Sequence, residues 1–138
     1  MATTNSILIV DDEPLVATAL ARQLEGEAQV DTVGSVGEAL LLLAQHHYDF
    51  VVTDLRMPGR WGDELLAYVA ARFPETRRVI YTGDPDAPTG LRELIDQGIV
   101  QAVVVKPDHE RLIAVLTGKS DAMVLEVIGA ARPARREG

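Results

Sequence analysis

Five polar residues stand where apolar runs end. Asp11 and Asp12 follow "SILIV" (6–10), Asp54 follows "DFVVT" (49–53), Thr82 closes "RVIYT" (78–82), and Lys106 closes "AVVVK" (102–106). Each has an ordinary explanation by itself. A lone Asp at such a point is a turn former, a lone Thr bonds nearby backbone, and a lone Lys is a surface charge. Brought together they have a chemistry. Clustered carboxylates repel one another and need a cation to offset them. Hard oxygen ligands suit a divalent ion, Mg²⁺ above all, which keeps several waters and takes few carboxylates. A Mg²⁺ ion held by carboxylates beside a lysine is in turn a receptor for phosphate oxygens.

The arrangement of the chain brings them together. Short apolar runs alternate with helical patterns. After the run at 6–10 comes "PLVATALARQLEG" (14–26), with Pro14 suited to a first helical turn and Leu15, Ala19, Leu20 and Leu24 expected on one face. "QVDTV" (29–33) is a weaker, alternating strand. Ser35 precedes a helical segment by one residue and Glu38 lies three residues on, which is a capping-box pattern; that helix is expected to end at His46 and His47, where cations favour its dipole. "GDELLAYVAARF" (62–73), "GLRELIDQG" (90–98, with Thr89 as a cap) and "DHERLIAVL" (108–116, with Asp108 as N-cap) follow the third, fourth and fifth strands. Continuous β-branched runs imply strands buried on both faces, hence a parallel sheet between helix layers. Right-handed crossovers put every strand's C-terminal end on one edge, and ligands of such sheets bind there.

Composition excludes other chemistries. The chain has 138 residues, 47% of them hydrophobic, which suits one domain with a real core. A formal net charge of -8 disfavours nucleic acid, and Arg132, Arg135 and Arg136 form only a short basic tail. The absence of cysteine removes disulfides, thiolate metal sites and thiol nucleophiles. The N-terminal "MATTNS" carries no signal-like pattern, and no apolar stretch approaches the ~20 residues of a membrane span, so a cytoplasmic, soluble protein is expected.

"ILIVDDEP", "VVTDLRMPG", "VIYTG" and "VVVKP", in this order over residues 6–118, resemble the receiver domain of two-component response regulators. The resemblance implies a flavodoxin-like, doubly wound α/β fold, a five-stranded parallel sheet of order 2-1-3-4-5 with helices on both faces. It implies that Asp54 is the phosphoacceptor, taking its phosphoryl group from a sensor histidine kinase or phosphotransfer protein by carboxylate nucleophilic attack. Asp12 then corresponds to a direct Mg²⁺ ligand, Asp11 to a water-mediated one, and Asp54 and the Arg56 carbonyl complete the set. Lys106 corresponds to the residue that pairs with the phosphoryl group and Thr82 to the switch hydroxyl. Met57, Pro58, Gly59 and Gly62 fit the loop that shapes the site. Arg56 and Asp84 occupy positions that tune water access in the family. Self-catalysed phosphotransfer and dephosphorylation are implied, with no external product, and the output is a change of protein contacts with a downstream target or output domain.

The chain departs from the pattern at three places. Val103 stands where the family usually has Tyr or Phe, Asp108 stands where Phe is common, and "GDPDAPTG" (83–90) predicts a stiff loop before a short fourth helix. Residues 1–118 are expected to form the receiver domain. After "LTGKS", the segment "SDAMVLEVIGAAR" (120–132) is expected to add a helix with an apolar face, or to begin a linker, and a homodimer is one use of such a face. Two other functions compete. A phosphorylation-independent scaffold would draw on Val103. A phosphohydrolase of the haloacid dehalogenase kind would need an Asp-x-Asp, whereas Leu55 and Arg56 follow Asp54.

Overall fold

The β-branched runs become the strands of one parallel sheet. The computed structural model describes residues 5–57, 60–83 and 91–118. Strands β1 (Asn5–Val10), β2 (Ala28–Val33), β3 (Phe50–Thr53), β4 (Arg77–Thr82) and β5 (Ala102–Val105) are followed by helices α1 (Pro14–Gln23), α2 (Val36–Leu43), α3 (Gly62–Arg72), α4 (Leu91–Asp96) and α5 (His109–Leu116) respectively. The sheet order is β2-β1-β3-β4-β5, as expected. Ile7 pairs with Phe50 and Val10 with Thr53, and Thr82 pairs with Val105 at the far side. The three inner strands carry the densest burial: Ile7 to Val10, Phe50 to Thr53 and Arg78 to Thr82 are all buried. Each fully buried Leu, Ile or Val contributes about 1.5–3 kcal/mol.

Local signals set the helix starts. Pro14 opens α1. Ser35 Oγ accepts from the Glu38 N–H at 3.2 Å, and Glu38 Oε1 accepts from Gly34 N at 3.0 Å, one residue earlier than a standard capping box. Asp108 Oδ1 accepts from Arg111 N at 3.0 Å. Thr89 and the loop 84–90, like Pro58, Gly59 and the segment 119–138, lie outside the described residues.

Two expectations are corrected. Leu15 does not join the buried face of α1: it is 85% exposed, while Ala17, Leu20 and Leu24 are buried. Leu15 belongs to a run of exposed residues, 12–15, that precedes the packed face of the helix. Helix α2 ends at Leu43, and His46 and His47 lie beyond it. The chain uses those residues to descend into β3, with His47 3.5 Å from Asp49. Past Asp54, Arg56–Met57 pairs antiparallel with Arg60–Trp61.

At the N-terminal edge of the sheet, Arg78 is buried without a carboxylate partner among the described residues. Its guanidinium donates to the carbonyls of Ile99 (2.8 Å), Thr76 (2.5 Å), Gly98 (3.2 Å) and Pro74 (3.3 Å). Burial pulls its pKa below the ordinary arginine value. Gln101 adds to the same knot, its Oε1 accepting from Arg78 N at 2.7 Å.

Candidate functional site

The ladder runs past the strands into the residues that carry the chemistry. Asp11 N donates to Val33 O at 3.0 Å, Asp54 N to Val10 O at 3.2 Å, and Lys106 N to Thr82 O at 2.8 Å. Each reactive side chain is therefore aimed by a backbone that belongs to the sheet, which gives more precise placement than a free loop. The Lys106–Pro107 peptide is cis.

The side chains converge. Asp11, Asp12 and Asp54 each present a carboxylate oxygen, and the three atoms lie within 4.8 Å of one another. Lys106 Nζ sits among the acids, 2.8 Å from Asp54 Oδ2, 2.9 Å from Asp11 Oδ2 and 2.9 Å from Glu13 Oε1. Asp54 Oδ1 accepts from Leu55 N at 2.6 Å, and Asp11 Oδ1 from Glu13 N at 2.9 Å. Both inner aspartates are thereby fixed at one oxygen by backbone and at the other by the ammonium. Asp12 is exposed, and beside it a hollow of about 220 Å³ is bounded by Asp11, Pro14, Thr18, Gly34 and Glu38.

Burial and charge compete at this edge. Burial pushes the Asp11 carboxyl above the ordinary value, against the opposing pull of the Glu13 N–H and Lys106. Burial alone would lower Lys106, but its bonds to Asp54, Glu13 and Asp11 override that and hold it above the ordinary lysine range. The ammonium is thus charged wherever the fold is intact at neutral pH. The oxygen donors suit a hard divalent cation, and the lysine already marks a cationic position between them.

Among the other expected residues, Thr82 ends β4, 1% exposed, and its carbonyl receives the Lys106 N–H. Val103 is fully buried and pairs with Ile80 in the ladder. Arg56 enters the short antiparallel ribbon two residues after Asp54, and Asp84 lies outside the described residues. Gly62 begins α3 directly beneath Asp54: a Cβ there would meet Asp54 O at 2.1 Å and Thr53 Oγ1 at 2.9 Å. Sequence reasoning missed Glu13 and Tyr81. Buried Tyr81 packs beneath Lys106, whose Nζ is 5.9 Å from the ring centre, and its hydroxyl is hydrogen-bonded to His109 Nδ1 at the start of α5. Burial, opposed by Lys106, leaves the Tyr81 phenol pushed up to about 12.

Known proteins share this fold. Residues 7–117 match the family model of the response regulator receiver domain. The hydrogenase transcriptional regulatory protein HoxA of Cupriavidus necator is 37% identical over 106 residues, which are 75% of this chain and 22% of that protein. The chain thus spans about a fifth of that curated relative. Among solved structures, the signal receiver domain of an HD domain-containing protein from Pseudomonas fluorescens superposes with a TM-score of 0.77 at 28% identity, covering 84% of this chain and 94% of that one. The response regulator TrrA of Thermotoga maritima, in complex with Mg²⁺-BeF, superposes with a TM-score of 0.70 at 26% identity, covering 83% and 98%. No helix among the described residues is long and apolar enough to cross a membrane. A parallel sheet of order 2-1-3-4-5 with acids at its C-terminal edge, matched along residues 7–117, makes this chain a member of the response regulator receiver domain family.

Proposed function

We propose that the chain is a phosphorylation-controlled signalling module that accepts a phosphoryl group on Asp54 and passes the event on through protein contacts. The observation that carries this reading is the position of Asp54 Oδ2, 2.8 Å from Lys106 Nζ and within the three-carboxylate group. A carboxylate so placed can attack a phosphorus atom while its neighbours take up the charge. The donor of matching chemistry is a phosphohistidine of a sensor kinase or phosphotransfer protein. An Asp54 oxygen forms the new O–P bond, the P–N bond breaks, and the imidazole leaves and takes up a proton.

Asp11, Asp12, Asp54 and the Arg56 carbonyl are the groups that would hold Mg²⁺. When bound, the ion supplies charge neutralisation for the phosphoryl oxygens. Lys106 pairs with a phosphoryl oxygen once the group is in place, and Thr82 supplies a hydroxyl from the end of β4. The added charge of about -1.5 to -2 is what the two residues respond to. That TrrA is held with Mg²⁺ and a beryllium fluoride, a phosphoryl mimic, supports the same use of the edge here.

Intact-protein mass after incubation with Mg²⁺ and acetyl phosphate tests the reading. The wild type gains one phosphoryl group, and neither Asp54→Asn nor a metal-free control does. Equal gain in Asp54→Asn places the acceptor elsewhere and overturns it.

A further inference from the structure

Glu13 occupies the N-cap position of α1 but does not act as a cap. Its backbone is extended (φ -98°, ψ 100°), and its carbonyl accepts from Val16 N and Ala17 N at 3.1 and 3.2 Å. Its side chain makes no capping hydrogen bond. Short Asp, Asn, Ser and Thr side chains cap well because they fold back onto the first turn. The longer glutamate instead reaches across the sheet edge to Lys106, 93 residues away in sequence, with Oε1 2.9 Å from Nζ. Its own N–H holds Asp11 Oδ1 at 2.9 Å. One residue therefore ties both the buried acid and the lysine.

The three acceptors of Lys106 among the described residues are not equivalent. Asp11 and Asp54 belong to the trio of carboxylates that suits a divalent cation, and Glu13 does not. Their side chains are 3% and 13% exposed, while that of Glu13 is 60% exposed. A cation entering the trio must draw Asp11 and Asp54 oxygens away from the ammonium. Without a third acceptor, that ammonium would be left as a poorly compensated charge beside a second cation. Glu13 supplies the acceptor on the solvent side of the pocket.

We propose that Glu13 is a positioning residue that retains Lys106 at the pocket rim while the divalent cation takes over Asp11 and Asp54. The consequence for phosphoryl transfer rests on the proposed function, but the test does not. Mg²⁺ titrations by calorimetry compare the wild type, Glu13→Gln, Lys106→Met and the double variant. Glu13→Gln weakens Mg²⁺ binding about three- to fivefold, the scale of an exposed ion pair, and in the Lys106→Met background the same change has almost no effect. Glu13→Ala repeats the cycle, and thermal melts in both backgrounds reveal any helix defect as a loss common to the two. Unchanged binding in Glu13→Gln overturns the proposal, as does an equal loss in both backgrounds, which marks a plain charge effect. Failure of the wild type to bind Mg²⁺ removes this role and the metal-dependent function together. Normal coupling with no phosphoryl gain removes only the function.

Discussion

A glycine shapes the ground on which Asp54 stands. With a Cβ, residue 62 would press on the Asp54 carbonyl and the Thr53 hydroxyl, both part of a sheet end that cannot retreat. Gly62→Ala is expected to cost about 1–3 kcal/mol in urea denaturation and to slow phosphoryl gain on Asp54 by moving its backbone. The types and positions of Asp11, Asp12, Asp54 and Lys106 made them legible in the sequence, because carboxylates and an ammonium at the ends of apolar runs have few joint uses. Glu13 was not legible. An exposed acid before a helix reads as a complement to the helix dipole, and nothing local announces a partner 93 residues on.

The elements were read from periodicity, and periodicity reports burial more than orientation. Four of the five strands were recognisable because apolar, β-branched-rich runs bounded by polar residues have one economical packing, and β2 was recognisable only by its alternation. Leu15 was assigned to the wrong side because its spacing from Ala19 fits a stripe, whereas the chain is exposed from residue 12 to 15, into the first turn of α1. The short ribbon after Asp54 escaped notice because two-residue pairings leave no period to see. Between elements, the Tyr81–His109 bond fastens β4 to α5 and joins residues that lie 28 apart in sequence. Because the folded-state phenol titrates near 12 instead of its ordinary 10.0, its contribution to stability is whole below pH 10 and is lost as pH rises toward about 12. Denaturant titrations across that window should show a decline of about 2–3 kcal/mol that is much reduced in Tyr81→Phe.

At the scale of the whole molecule, charge matters more than at any one contact. The chain carries a net charge of -8 and gathers three carboxylates at one edge. Divalent cation binding to the folded form alone must then stabilise it by linkage, by about 2.7 kcal/mol at a hundredfold excess over the dissociation constant. The melting temperature is expected to rise with Mg²⁺ in the wild type and to stay flat in Asp12→Ala, a substitution at an exposed position that leaves the core intact. Monovalent salt at equal ionic strength separates this from general screening.

The opposite edge of the sheet has a mechanical consequence. Arg78 clasps the carbonyls of Gly98 and Ile99, directly behind α4, so that helix is hinged at its rear like a short lever. Its six residues span about 9 Å. With its C-terminal end pinned in this way, any displacement of α4 is expected to be smallest there and largest at Leu91, its opposite end.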